Sequence, residues 1–175
     1  MDRLWSPWRM TYIDGMNGKD SIDRCFLCDA RDARDDREAL VFQRRERVFA
    51  VLNRFPYNNG HALIVPNAHK GDLAALTDEE MLAMLQLARD VMGLYAKVMR
   101  ADGYNLGLNF GRVAGAGLPG HLHLHLVPRW SGDTNFMAVL ADTKVIPQSL
   151  EDLYDRLRAA IESGGGAPRG DAGAP

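Results

Sequence analysis

His121, His123 and His125 alternate with Leu122, Leu124 and Leu126. Successive side chains of an extended strand point to opposite faces, so this spacing puts three imidazoles on one face and three leucines on the other. The leucines belong in a core. A single histidine is ordinarily a satisfied core or surface residue, but three on one face call for a chemical explanation. Histidine titrates near working pH and serves as nucleophile, acid, base or metal ligand. The segment just before, Gly111 to Gly120, holds four glycines and one proline. Glycines such as Gly115, Gly117 and Gly120 let backbone amides come close to a ligand, and successive amides form an anion-binding nest. Loop and histidines together suggest a phosphate site.

The chain has two cysteines, and they form one Cys-x2-Cys element, Cys25-Phe26-Leu27-Cys28. Half a zinc site, a redox pair and two unrelated thiols are all open readings. A redox pair would open a helix after a strand, and no strand signal precedes Cys25. No second Cys-x2-Cys exists, so a zinc site would draw two histidines from elsewhere to make a closed Cys2His2 set. His69 and one member of the histidine cluster are the candidates.

The elements that would position these residues can be read from periodicity. Residues 1–20 are irregular but aromatic (Trp5, Trp8, Tyr12), which suggests an arm packed on the body or on a second subunit. Asp29 to Glu38 is dense in charge and reads as a solvated helix or loop. Ala39 to Gln43, Val48 to Leu52 and His61 to Val65 read as strands, with Pro56 to Gly60 as a loop. Thr77 and Glu80 form a capping box for a long helix. Its apolar residues recur at Met81, Met84, Leu85, Ala88, Val91, Met92, Tyr95 and Val98, and Asp102-Gly103 should end it. Tyr104 to Phe110 and Leu122 to Val127 are further strand candidates, and Ser149 caps a second helix carrying Leu150, Leu153, Tyr154, Leu157 and Ile161. The order β-β-β-α-β-β-α predicts an α+β fold with a mostly antiparallel sheet. One domain over residues 1–163 is expected, with residues 164–175 a disordered Gly/Ala/Pro tail.

Composition excludes several classes. The chain has 175 residues, 46% hydrophobic and 25% charged, which is ordinary globular usage. With 21 basic and 23 acidic residues the net charge is −2, which argues against nucleic acid or a membrane surface as a partner. No signal peptide or membrane-spanning run is visible, so a cytoplasmic location is expected, where thiols stay reduced.

The stretch His121-Leu-His123-Leu-His125-Leu-Val127-Pro128-Arg129 resembles the signature of the histidine-triad (HIT) nucleotide hydrolases and transferases. Leu52-Asn53-Arg54, Gly60-His61-Ala62-Leu63-Ile64-Val65-Pro66 and the long helix fall in the family's order. Trp5-Ser-Pro-Trp8-Arg9 and Trp130-Ser-Gly-Asp133-Thr-Asn135-Phe136 are similar to the bacterial branch that includes diadenosine tetraphosphate phosphorylases. The resemblance implies a HIT-like fold in which His123 attacks the α-phosphate, His125 contacts the phosphate and places the leaving group, and His61 supports the triad. It implies a structural zinc, one per chain, on Cys25, Cys28, His69 and His121. It assigns nucleotide contacts to Asn53, Asn109, Gly115, Ala116 and Gly117. Many members carry glutamine or serine where Gly117 stands, so here only a backbone amide serves that position.

The expected function is cleavage of dinucleoside polyphosphates through a nucleotidyl-histidine, with phosphorolysis favoured over hydrolysis. Alternatives are a hydrolase of AMP conjugates, a zinc hydrolase using all three clustered histidines as ligands, and a non-catalytic nucleotide-binding module. Trp130 has two readings, stacking on a base or packing at a subunit interface. A homodimer is expected from the resemblance alone.

Overall fold

A computed structural model describes residues 25–134 and 146–164. The aromatic arm over 1–20 and most of the tail over 164–175 lie outside the described residues, as does part of the segment after Asp133. The order is α1 (Phe26–Asp32), β1 (Val41–Arg44), β2 (Val48–Leu52), β3 (Ala62–Pro66), a 3₁₀ turn (Leu73–Ala75), α2 (Asp78–Val98), β4 (Gly103–Leu108), a second 3₁₀ turn (Arg112–Ala114), β5 (Leu124–Arg129) and α3 (Leu150–Ser163). The five strands form one sheet in the order β1-β2-β3-β5-β4, and every neighbouring pair is antiparallel. The α+β expectation holds. The short helix α1 at the cysteines is an addition to it.

β2 and β3 are buried at every position, so both faces of the central sheet are covered. The run Val48-Phe49-Ala50-Val51-Leu52 has no polar residue because neither face meets water. α2 lies on β2, β3 and β5 and packs against α3, which reaches β1. The capping box at Thr77 is formed: its side chain accepts from Glu80 N–H while the Glu80 carboxylate accepts from Thr77 N–H at 2.8 Å.

Two details of α2 correct the periodicity. Leu85 is 59% exposed and Leu87 is fully buried, so the inward stripe runs through Met84, Leu87, Ala88, Val91 and Tyr95. The helix also stops at Val98 rather than at Asp102-Gly103, because Arg100 turns left-handed at φ 52°. The Trp130 indole N–H donates to the Met99 and Arg100 carbonyls at 3.2 and 3.0 Å, which satisfies acceptors that a helix end leaves without intrahelical partners.

β5 starts at Leu124, two residues later than the alternation suggests, so His121 and His123 precede the ladder. The leucine face survives this shift: Leu122, Leu124 and Leu126 all join the core.

Candidate active site and metal centre

Cys25 is the N-cap of α1, and its Sγ accepts from Cys28 N–H at 3.4 Å. The Cys-x2-Cys spacing therefore turns both sulfurs to one side of a helix start. They meet two imidazoles there. Cys25 Sγ lies 3.2 Å from His121 Nδ1, and Cys28 Sγ lies 3.2 Å from His69 Nδ1 and 3.6 Å from His121 Nδ1. The four donor atoms all fall within 4.8 Å of one another. Metal–sulfur bonds of about 2.3 Å and metal–nitrogen bonds of about 2.0 Å at tetrahedral angles require sulfur–nitrogen separations of about 3.6 Å, so the donor set fits a tetrahedral cation. His121 Nε2–H donates to the Pro66 carbonyl at 2.9 Å, which leaves Nδ1 as the ligand atom. Burial, reinforced by the neighbouring Cys25 and partly opposed by the Arg31 guanidinium, pushes the Cys28 thiol pKa up. The cluster joins α1, the segment after β3 and the segment before β5.

His123 is buried, and its Nδ1 lies 2.8 Å from the His121 carbonyl. A carbonyl only accepts, so Nδ1 carries the hydrogen and the Nε2 lone pair is left to act as a nucleophile. Burial lowers the His123 pKa, partly opposed by that hydrogen bond, and favours the neutral ring that a nucleophile needs.

His61 is fully buried. Its Nδ1 accepts from the Tyr57 backbone N–H at 3.1 Å and faces the Asn53 amide at 3.3 Å. The hydrogen of the neutral ring is therefore on Nε2, which lies 2.9 Å from His125 Nδ1. Burial, reinforced by the neighbouring His125 and His123, pushes the His61 pKa down to about 3, so the ring is neutral at ordinary pH. His125 Nδ1 then accepts, and His125 Nε2 carries a hydrogen toward the Asn109 side chain, 3.3 Å away. The Asn109 atom nearest that nitrogen is Nδ2, which also donates to the Gly115 carbonyl at 3.5 Å; a donor at His125 Nε2 calls for the flipped amide, with Oδ1 toward the ring at the expense of the Gly115 contact. One backbone N–H thus sets the tautomers of two histidines in series.

The three clustered histidines do not converge on one point. His121 turns to the cysteines, His123 to a backbone carbonyl and His125 to His61. This arrangement argues against a catalytic metal held by all three.

The structure brings Asn53, His61, His123, His125 and Asn109 together. The glycine loop behaves differently from expectation. Gly115 N–H and Ala116 N–H donate within the turn, to Arg112 and Gly111 carbonyls at 2.9 and 3.2 Å. Gly117 N–H, with no acceptor among the described residues, is the remaining donor of that trio. Trp130 is not at the histidines. It follows β5, five residues past His125 and about 16 Å along an extended chain, with its indole on the end of α2.

Sequence reasoning missed Tyr57, whose ring lies 4.5 Å from that of His61 and 5.8 Å from that of His125. It also missed Asn58, a buried amide that donates to the Pro128 carbonyl at 3.1 Å and to Asp133 at 2.8 Å. Both sit in the segment read only as a loop, and the one available signal was their nearness to His61.

Comparison with known proteins agrees with this geometry. Residues 34–132 match the HIT domain family. The chain is 39% identical over 160 residues to the AP-4-A phosphorylase of Mycobacterium tuberculosis, covering 87% of this chain and 80% of that protein. It is 33% identical over 93 residues to the asymmetrical bis(5'-nucleosyl)-tetraphosphatase of Schizosaccharomyces pombe, covering 53% of this chain and 50% of that one. A Zn-bound histidine triad family protein from Mycobacterium smegmatis superposes with a TM-score of 0.63 at 26% identity, covering 79% of this chain and 94% of that one.

Proposed function

The chain belongs to the HIT domain family, and from that premise we propose that it transfers nucleotidyl groups from dinucleoside polyphosphates of the diadenosine tetraphosphate type, with orthophosphate as the favoured acceptor. The observation that carries the reading is the buried His123 with Nδ1–H fixed on the His121 carbonyl, which leaves Nε2 as the attacking atom. In the first step a P–N bond forms between Nε2 and the α-phosphorus. The P–O bond to the polyphosphate breaks and its electron pair leaves with that oxygen. The ring becomes a nucleotidyl-imidazolium whose charge is stabilised by the Nδ1–H···O=C bond. His125 Nε2–H donates a hydrogen bond to the departing oxygen, and Gly117 N–H assists at the phosphoryl oxygens. In the second step an orthophosphate oxygen attacks phosphorus, and the P–N pair returns to Nε2. Asn53 would contact ribose hydroxyls from its place beside His61.

The likeness to a phosphorylase across most of the chain favours orthophosphate as the acceptor over water. Zinc is proposed for the Cys25, Cys28, His69 and His121 set, one per chain, because the sulfur–nitrogen spacings suit it. When bound, it supplies a closed cross-link between segments and no open position for water. A homodimer and a cytoplasmic location belong to the same proposal. The exposed edge strand β4 with Leu106 is compatible with a dimer.

The test is a product assay on diadenosine tetraphosphate with and without orthophosphate. ADP plus ATP, formed only with orthophosphate, supports the proposal, while AMP plus ATP in both arms moves it to hydrolysis. Quenching in base should trap a labelled wild-type protein, and His123→Ala should neither label nor turn over. Normal turnover by His123→Ala would sink the mechanism.

A further inference from the structure

We infer that Gly71 is a positioning residue for the cysteine–histidine donor set, because the absence of a side chain there sets the separation of His69 and His121. The inference rests on the proposed zinc site. Gly71 stands two residues after His69, and its main chain lies against that of Pro119 and Gly120, which lead into His121. A Cβ at position 71 would stand well inside 3.0 Å of the Pro119 carbonyl oxygen, and at 3.1 and 3.2 Å from Gly120 Cα and C. All of these atoms are backbone, so no side chain can swing aside to make room. Gly71 is not left-handed, unlike Gly60, Gly111, Gly115 and Gly132, so close approach and not its own φ requires the glycine.

The stretch that carries Gly71 is held in place beside this contact. The Lys70 carbonyl accepts from Leu122 N–H at 2.7 Å. The Lys70 ammonium donates at 2.8 Å to the Glu80 carboxylate oxygen that also closes the capping box of α2. The two donors that the contact separates are close together. His69 Nδ1 meets Cys28 Sγ at 3.2 Å, His121 Nδ1 meets Cys25 Sγ at 3.2 Å, and the two imidazoles pack 5.0 Å apart.

Magnitudes decide the consequence. To admit a methyl, the two stretches must part by about half an ångström, whereas ligand distances at a metal hold to within about 0.2 Å. The parting falls between two of the four donors, so His69 and His121 would no longer close on one ion. Gly120 offers the contrast. It faces the same gap, but a Cβ there would meet only the His69 ring, at 3.5 Å from Nε2 and 3.9 Å from Cε1, which is ordinary contact. A methyl on one glycine of the pair should therefore open the donor set, and a methyl on the other should not. His121 also offers its carbonyl to His123, so the contact at Gly71 underlies the nucleophile's acceptor as well.

The experiment titrates cobalt(II) into the metal-free full-length chain, follows the visible bands of a tetrahedral sulfur–nitrogen site, and then displaces cobalt with zinc. Wild type should show intense bands that saturate at one cobalt per chain. Gly71→Ala should lose about tenfold or more in zinc affinity, the scale seen for other groups that orient metal ligands, and its cobalt bands should weaken. Gly120→Ala should bind as wild type does. Far-UV circular dichroism of the metal-free chains should show Gly71→Ala folded like wild type. Wild-type affinity in Gly71→Ala, or an equal loss in Gly120→Ala, would overturn the inference. An unfolded metal-free Gly71→Ala chain would overturn it too, since the glycine would then hold the fold and not the donor set. Failure of the zinc reading looks different: wild type itself would bind neither cobalt nor zinc, and the inference would fall with it.

Discussion

His61 illustrates how a residue that never meets substrate can be costly to the fold. Its native pKa is about 3 against an ordinary 6.5, because burial disfavours the imidazolium. The unfolded chain takes up a proton there below about pH 6.5 while the native chain does not. Stability is therefore independent of this group above that pH and falls as the pH drops toward 3, by at most about 1.4 kcal/mol per pH unit. Urea unfolding at pH 7.5 and pH 5 should show wild type losing about 2 kcal/mol more than His61→Asn across that interval. Equal losses would mean that the ring is protonated in the native state. His61→Asn should also slow turnover, since His125 Nδ1 loses its donor, and rates on diadenosine tetraphosphate check this directly.

The turn from Asn53 to Gly60 is the element on which the acid–base half of the site depends. Gly60 adopts φ 76°, and a Cβ there would stand 2.8 Å from Met99 Cε and 3.1 Å from Pro128 Cγ. The methionine tip can move aside, so the left-handed backbone is the larger obstacle. Gly60→Ala should cost about 1–3 kcal/mol in chemical denaturation, and a cost near zero would show that the turn relaxes freely. Most of the elements were legible. β2 follows its apolar run to the residue, and the Thr77 and Ser149 caps follow from their side-chain chemistry. The errors have identifiable causes. Leu85 and Leu87 were exchanged because both are apolar and only the partner surface decides which turns inward. The end of α2 comes before Asp102-Gly103 because Arg100 turns left-handed, and the indole of Trp130, 30 positions away, takes up the Met99 and Arg100 carbonyls there. Within the site, the imidazoles and thiols were visible as rare residue types. Tyr57 was not, because its contribution needs the position of a ring and of a main-chain N–H, and neither has a compositional signature.

At the scale of the whole molecule, the cysteine–histidine cluster brings together three segments far apart in sequence, at residues 25–28, 69 and 121, which the proposed zinc would cross-link. A ligand that binds only the folded chain stabilises it by mass action. Thermal unfolding with zinc should occur several degrees above unfolding with a chelator, and Cys28→Ser should abolish most of that difference. Identical melting curves would exclude a structural metal. His121 gives this cross-link a wider meaning. Its ring faces the cysteines, while its backbone carbonyl takes the hydrogen of the nucleophile His123 at 2.8 Å. The carbonyl belongs to the main chain, so His121→Ala would remove the ring that faces the sulfurs and keep the acceptor that faces the nucleophile. The residue that would help fasten three distant stretches of chain is thus also the one whose backbone fixes the nucleophile's tautomer, so anchorage and chemistry share one point of the main chain.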